Sequence, residues 1–271
     1  MPVSLRAQQK IWQRRSHPKQ LAIWFAWLCG VALFMVCWQY ISEKTTWFFV
    51  FDAPRIAGDI GSRAIPPRWQ YMSELWRPLW DTINVATLGT ALAIVFAVPI
   101  AFLAARNTTP SKALIRPLAL LIIVSSRSIN SLIWALLLVA IIGPGIFAGT
   151  IAIALRSIGF VAKLLYEAIE EIDTNQVEAI TATGASPAQI IAYGIVPQIL
   201  PAFAGITVFR WDINIRESTV LGLVGAGGIG LQLQASLNVL AWPQVLLILI
   251  VILIAVLISE WVSAKVRHAI I

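Results

Sequence analysis

Charged and metal-binding side chains are scarce in this chain. Charged residues make up 12% of its 271 residues, and there are only two histidines and two cysteines. His17 and His268 lie near opposite ends of the sequence, and Cys29 and Cys37 are too far apart along a helix to form a disulfide bond. The motif G-x-x-x-x-G-K-[ST] is absent, which excludes nucleotide binding by a P-loop. We therefore expect no catalytic residues and no metal site.

Apolar residues dominate the sequence instead. They make up 59% of the chain, and the mean hydropathy is +0.81. A run of about 20 apolar residues is long enough to cross a bilayer as a helix. The third run contains Ser125-Ser126-Arg127-Ser128, so we expect it to be bent or broken. We predict an all-α integral membrane protein with about six transmembrane helices, at residues 21–41, 82–105, 117–142, 147–168, 198–224 and 244–264.

Short basic segments predict the orientation of these helices. Residues 1–20, the loop 106–116 and the tail 265–271 carry Lys or Arg but no acidic residue, and six crossings place all three on one side. The positive-inside rule makes that side the cytoplasm. The net charge of +7 therefore reflects topology and gives no reason to expect a nucleic acid partner.

The same reasoning divides the chain into regions. We predict a cytoplasmic N-terminus at 1–20, a first anchor helix at 21–41 that is not a cleaved signal peptide, and a periplasmic loop at 42–81. Asp81 or Thr82 is expected to cap the second spanning helix. The core then occupies 82–264, and the cytoplasmic tail occupies 265–271.

A polar segment interrupts the core between the fourth and fifth apolar runs. Gly184 is expected to end one short helix, because glycine readily adopts the left-handed conformation of a C-terminal cap. Ser186 and Gln189 form the pattern of a capping box, and Pro187 suits the first turn of a new helix. We therefore predict a helix, a turn and a second helix at about 174–197.

This segment resembles the EAA loop of ABC importer permeases. Glu178, Ala179, Gly184 and Pro197 match the family pattern in register, whereas Ile180, Gly194 and Val196 depart from it. The resemblance covers about residues 82–264. Residues 101–107 (AFLAARN), 156–160 (RSIGF) and 220–230 (VLGLVGAGGIG) are similar to the phosphonate permease branch in particular.

The resemblance implies a function, partners and a location. Type I importer permeases span the bacterial inner membrane as homodimers, carry no catalytic site, and receive their ligand from a periplasmic binding protein. Two copies of a separate cytoplasmic ATPase bind ATP-Mg. The implied function is import of phosphonates, with phosphate, phosphite or phosphate esters as alternatives. The residues implied to contact the ATPase are Glu178, Ala179, Gly184, Ala185 and Ser186.

Charged residues near the middle of three spans are candidates for the substrate path. Charges at that depth are costly and usually face a cavity or each other. If both acidic residues pair with arginines, two arginines remain for an oxyanion, which arginine binds with two parallel donors. The other interpretation is a set of structural or gating ion pairs. The path candidates are Arg127, Asn130, Arg156, Arg210, Asn214 and Arg216, and the acidic residues are Asp212 and Glu217.

One motif has a misleading match. Residues 225–230 fit the pattern G-x-G-x-x-G, but a dinucleotide site also requires a preceding strand and a following helix in an α/β unit. We expect an external turn formed by Gly225, Gly227, Gly228 and Gly230.

An ion-coupled secondary carrier and a membrane enzyme are the remaining alternatives for the whole chain. The absence of visible internal repeats counts against the carrier.

Overall fold

The computed structural model describes residues 3–6, 9–12 and 17–270, and helices account for nearly all of them. Arg14 and Arg15 of the predicted basic N-terminus lie outside the described residues. The helices are α1 (His17–Lys44), α2 (Trp47–Ala64), α3 (Met72–Ala104), α4 (Ile115–Ser128), α5 (Ser131–Ile142), α6 (Ile146–Glu170), α7 (Thr174–Ala182), α8 (Pro187–Gln189), α9 (Val196–Leu221), α10 (Ile229–Asn238) and α11 (Trp242–Ile270).

The N-terminal unit comprises residues 1–61. Strands β1 (Val3–Arg6) and β2 (Gln9–Trp12) form an antiparallel hairpin. Helix α1 follows and contains no buried residue, with a mean hydropathy of 2.2 over its most apolar window. An apolar helix of 28 residues that buries none of its side chains within the protein suits a lipid environment.

Six stretches of the described chain are long and apolar enough to cross a membrane, if one bent pair counts as a single span. That pair is α4 and α5, which meet at 86°. The bend follows from Ile129, whose backbone is extended, and from Asn130, whose side chain accepts a hydrogen bond from the Leu132 amide at 3.1 Å and so starts a new helix. The prediction of about six membrane-length helices is therefore confirmed, and so is the predicted break in the third apolar run.

The prediction that Asp81 or Thr82 caps the second spanning helix is wrong, because α3 begins at Met72. Leu75 is fully buried against Ile229 and Leu247, so packing holds this first part of α3 in place. Thr82 lies inside the helix, and its hydroxyl accepts a hydrogen bond from the Ile229 amide at 2.8 Å. Helix α2 and the start of α3 thus occupy much of the segment 42–81.

Helix α6 lies at the centre of the second unit, residues 62–271, packed against α3, α4, α5 and α9. Small residues allow these close approaches. A methyl group on Gly89 of α3 would come within 2.8 Å of Ile153 Cγ2 on α6. On the other face, a methyl group on Gly159 would come within 2.6 Å of the Ile123 carbonyl oxygen. Helix α4, with Arg127 near its end, therefore packs directly on α6.

The glycine segment forms a tight turn between α9 and α10. Gly225, Gly227 and Gly228 have φ angles of +88°, +81° and +74°, a region that favours glycine. The segment follows a helix, so it lacks the preceding strand that a dinucleotide site requires. Gly230, predicted as part of the turn, instead lies inside α10, where an added methyl group would clash with the Thr219 carbonyl oxygen and come within 2.9 Å of the Gly222 Cα.

We expect Gly230→Ala to destabilise the protein by about 1–3 kcal/mol, because inserting a methyl group into a well-packed contact forces the backbone to shift. Gly205→Ala is the matched control, since Gly205 lies in α9 and an added methyl group meets nothing within 4 Å. The measurement is thermal unfolding of the purified variants in detergent. Equal unfolding temperatures for the two variants would contradict the close packing of Gly230 against α9 and the residues that follow it.

Candidate functional site

A buried polar network connects three central helices. Arg210 of α9 has only 2% of its surface exposed, and its Nε donates to the Ser157 hydroxyl of α6 at 2.9 Å. Asn214 donates to the Thr90 hydroxyl of α3 at 2.7 Å and to Ser157 at 3.1 Å. The Arg210 guanidinium also lies 5.0 Å from the centre of the Phe160 ring. These contacts hold Arg210 in one position.

Glu217 lies between two arginines. One of its carboxylate oxygens is 3.5 Å from Arg156 Nη1, and the other is 3.4 Å from Arg210 Nη2. The contact with Arg210 joins two residues seven positions apart on α9, and Arg156 of α6 contacts the same carboxylate. Arg156 Nη1 also lies 3.2 Å from Asn130 Oδ1 and 3.4 Å from the Ser131 hydroxyl. The break between α4 and α5 thus supplies neutral polar groups to the cluster.

Asp212 and Arg216 form a separate ion pair along one face of α9, as their four-residue spacing predicts. Asp212 also accepts a hydrogen bond from the Ser259 hydroxyl of α11 at 2.7 Å. The exposed fractions of the two side chains differ, at 5% for Asp212 and 49% for Arg216. This pair therefore connects α9 to α11 through its buried acid.

The expectation that two arginines remain without acidic partners is wrong, because Glu217 contacts two arginines instead of one. Within the described ranges, Arg127 is the arginine of the four candidates that makes no ion pair. Its side chain lies beside Gly159, where an added methyl group would come within 2.8 Å of Arg127 Cγ.

Lys163 adds a cation to the site that was not among the residues predicted from the sequence. Arg156, Gly159 and Lys163 are at positions i, i+3 and i+7, which share one face of a helix. Since Arg127 lies beside Gly159, three cations follow one another along this face of α6. Glu167 contacts Lys163 at 2.5 Å. The seven-residue spacing of Arg156 and Lys163 could have indicated that both lie on one helix face. No sequence pattern indicated that Ser157 and Thr90 belong to the site.

The predicted helix, turn and helix of the polar segment are present. Helix α7 ends before Gly184, whose φ angle is +80°, and the Ser186 amide donates to Gln189 Oε1 at 2.8 Å in a capping box. Glu178, Ala179, Gly184 and Ser186 are exposed, and Ala185 is partly buried. The chain from 190 to 195 forms a wider π-helical turn before α9.

We call the segment 174–197 the helical loop. A groove of about 350 Å³ borders it. Apolar side chains from α7 and the following turn line it, including Val177, Ile190 and Ile191, with Glu178 and Pro187 also contributing. An exposed helical loop beside an apolar groove provides a surface that a soluble protein can bind.

Contacts from Glu170 place the helical loop and the basic loop 106–116 at the same end of the bundle. Glu170, at the end of α6, lies 3.5 Å from Arg116 Nη2 and accepts a hydrogen bond from the Arg106 amide at 2.9 Å. Asn107 Nδ2 donates to the Ile169 carbonyl oxygen at 2.6 Å. The positive-inside argument for the loop 106–116 therefore applies equally to the helical loop.

Comparisons with known proteins agree with this geometry. The family described as binding-protein-dependent transport system inner membrane component matches residues 97–268. The phosphite transport system permease protein PtxC of Stutzerimonas stutzeri is 39% identical over 248 residues, which cover 92% of this chain and 87% of that protein. The phosphate-import permease protein PhnE of Mycolicibacterium smegmatis is 40% identical over 206 residues, 76% of this chain and 38% of that protein.

The fold is also shared with solved structures. A chain of the MetNI methionine ABC transporter, crystallised in an inward-facing conformation, aligns with a TM-score of 0.65 and 22% identity. The alignment covers 75% of this chain and 99% of that chain. At this identity the likeness concerns the fold alone, and it agrees with the helical bundle described above.

Proposed function

We propose, from the premise that the chain belongs to the family of binding-protein-dependent transport system inner membrane components, that it imports phosphonates or related phosphorus oxyanions. It is the membrane-spanning permease of such a system and not an enzyme. The observation that supports the substrate class is a series of cations along one face of α6, a helix long enough to span the membrane. Arg156 and Lys163 belong to that face, and Arg127 of α4 lies beside it.

The chemistry of these residues suits a phosphorus oxyanion. A guanidinium presents several N–H donors in a plane and binds carboxylate or phosphate oxygens with two parallel bonds. Nε and Nη2 of Arg156 have no hydrogen-bond partner within the described part of the chain, so they remain for an anion. Asn130 is exposed beside Arg156 and adds a neutral polar group. Relatives named for phosphite and phosphate transport support the same class.

Two of the remaining candidates have structural roles in this proposal. Asn214 is fully buried and holds Ser157 and Thr90, while Arg216 contacts Asp212. Arg210, by contrast, is buried behind Arg156 and reaches the cluster through Nη2, which contacts Glu217. Substrate therefore approaches through the exposed face formed by Arg127, Asn130 and Arg156.

The partners follow from the helical loop and from the family. We propose that a cytoplasmic ATPase contacts Glu178, Ala179, Gly184, Ala185 and Ser186. Two copies of this ATPase bind ATP-Mg beneath a permease homodimer. A periplasmic binding protein delivers the substrate. Both termini lie on the cytoplasmic side of the inner membrane. Closure of the ATPase pair on ATP would move the helical loop and thereby rotate the spans around the path.

The test is ATP-driven uptake by proteoliposomes that contain this chain with its ATPase and binding protein. Radiolabelled methylphosphonate, phosphite and phosphate would be compared. We expect at least one of them to accumulate. Uptake without ATP that follows an ion gradient would instead support a secondary carrier.

The path residues have their own prediction. Arg127→Leu and Arg156→Leu should each lower uptake by at least about tenfold, equivalent to 1.4 kcal/mol, because each removes donors from the anion path. Arg77→Leu is the control, since Arg77 is exposed on α3 outside the proposed path. Unchanged uptake in both path variants, at equal membrane levels, would exclude these arginines from the path.

A further inference from the structure

We propose that the Glu217 carboxylate acts as an internal counter-anion: it occupies the anion position between Arg156 and Arg210, and the transported oxyanion displaces it. This inference rests on the proposed function and assigns a specific role to one acidic residue. The two carboxylate oxygens each face a different guanidinium, at 3.5 Å and 3.4 Å. An oxyanion with several oxygens can make the same two contacts.

The geometry of Glu217 differs from that of a fixed structural ion pair. Close charge-assisted contacts between nitrogen and oxygen measure about 2.7–2.9 Å, so the carboxylate bridges both arginines without a tight bond to either. The Glu217 side chain keeps 17% of its surface exposed, and that of Arg156 keeps 30%. The described residues give Glu217 no hydrogen-bond donor other than these arginines. The bridge can therefore open toward the path.

Asp212 provides the contrast on the same helix. Its side chain is only 5% exposed, contacts Arg216 closely and accepts a hydrogen bond from the Ser259 hydroxyl at 2.7 Å. Both of its oxygens thus have dedicated partners. Displacement by an anion would leave this buried acid without them, whereas Glu217 can turn into the exposed side of the cluster.

Charge balance gives the exchange a physical reason. Arg210 is 2% exposed, and a buried cation without a nearby anion is unstable. Glu217 supplies that anion when the path is empty, and the substrate supplies it when the path is occupied. Competition from the carboxylate weakens substrate binding and so favours release, which a transport path requires.

The test compares this chain and its Glu217→Gln variant in phosphatidylcholine nanodiscs, with inorganic phosphate as the probe. Glutamine keeps the shape and an acceptor oxygen but removes the competing charge. We expect the variant to bind phosphate at least about tenfold more tightly. We also expect it to unfold at a lower temperature than the parent without phosphate, and to regain stability when phosphate is added.

Two controls separate this role from a general effect of charge. Asp212→Asn removes a carboxylate from the same helix and should not strengthen phosphate binding. Arg156→Gln combined with Glu217→Gln should lose the gain, because the anion needs that guanidinium. Repeating the assay with phosphatidylglycerol present shows whether lipid phosphate competes for the same position.

Equal or weaker phosphate binding by Glu217→Gln would overturn the proposal, as would an equal gain in Asp212→Asn. Absence of saturable phosphate binding in every variant would overturn it too. ATP-driven uptake by the parent assembly would in that case leave the proposed transport function standing, so the two failures are distinguishable.

Discussion

Replacing Gly184 by valine should abolish ATP-driven uptake, whereas asparagine at the same position should retain most of it. Gly184 has a φ angle of +80°. The left-handed conformation raises the free energy of a residue with a side chain by about 1–2 kcal/mol, and that of a β-branched residue by more. Asparagine tolerates the conformation better than valine. The pair therefore tests the backbone turn at one position with side chains of comparable size.

The physical reason lies in how the two parts of the loop are joined. Gly184 links α7 to the capping box of Ser186 and Gln189, and a methyl group at Gly184 meets nothing within 4 Å. A Cβ atom at this position therefore meets no neighbour, and the asparagine variant controls for the bulk beyond it. If valine refolds the turn, Glu178 and Ser186 no longer form one surface for the proposed ATPase.

The measurement has two parts. Co-purification of the ATPase with each variant reports binding, and uptake reports coupling. Loss of both in Gly184→Val with retention in Gly184→Asn is the expected result. Full uptake by the valine variant would show that the turn is not needed for coupling. Gly143→Val serves as a control, because Gly143 also has a positive φ of +99° but lies between α5 and α6, away from the loop.

Periodicity and composition predicted the elements of the fold well. The six apolar runs correspond to membrane-length helices or to the bent pair, because a run of about 20 apolar residues is long enough to cross a bilayer as a helix. The turn at Gly184 and the capping box of Ser186 were also predictable, since they depend on local backbone chemistry. The start of α3 was not, because burial of Leu75 against distant residues extends that helix.

The charged cluster was only partly predictable. The contact of Asp212 with Arg216 follows from helical spacing, so sequence alone suffices. The contact of Glu217 with Arg156 joins α9 to α6 and depends on how the helices pack. Ser157 and Thr90 looked like ordinary small residues of apolar helices. Their role depends on Arg210 and Asn214 reaching them across helix interfaces, which no local pattern reports.

Arg216→Leu should destabilise the protein by about 3–5 kcal/mol, whereas Asp212→Asn should cost much less. The asymmetry follows from burial, because Arg216 is 49% exposed and Asp212 is 5% exposed. Without Arg216, a buried carboxylate keeps only the Ser259 hydroxyl as partner. Without the charge of Asp212, the Arg216 guanidinium remains accessible to water or lipid headgroups, and asparagine still accepts from Ser259.

The double variant Asp212→Asn with Arg216→Leu distinguishes a structural ion pair from a path residue. Because it contains no uncompensated buried charge, it should unfold at a higher temperature than Arg216→Leu alone. Its uptake per folded transporter should remain near that of the parent if Arg216 only compensates Asp212. Thermal unfolding in detergent and uptake in proteoliposomes give the two values. Recovered stability with lost uptake would instead place Arg216 on the substrate path beside Arg156.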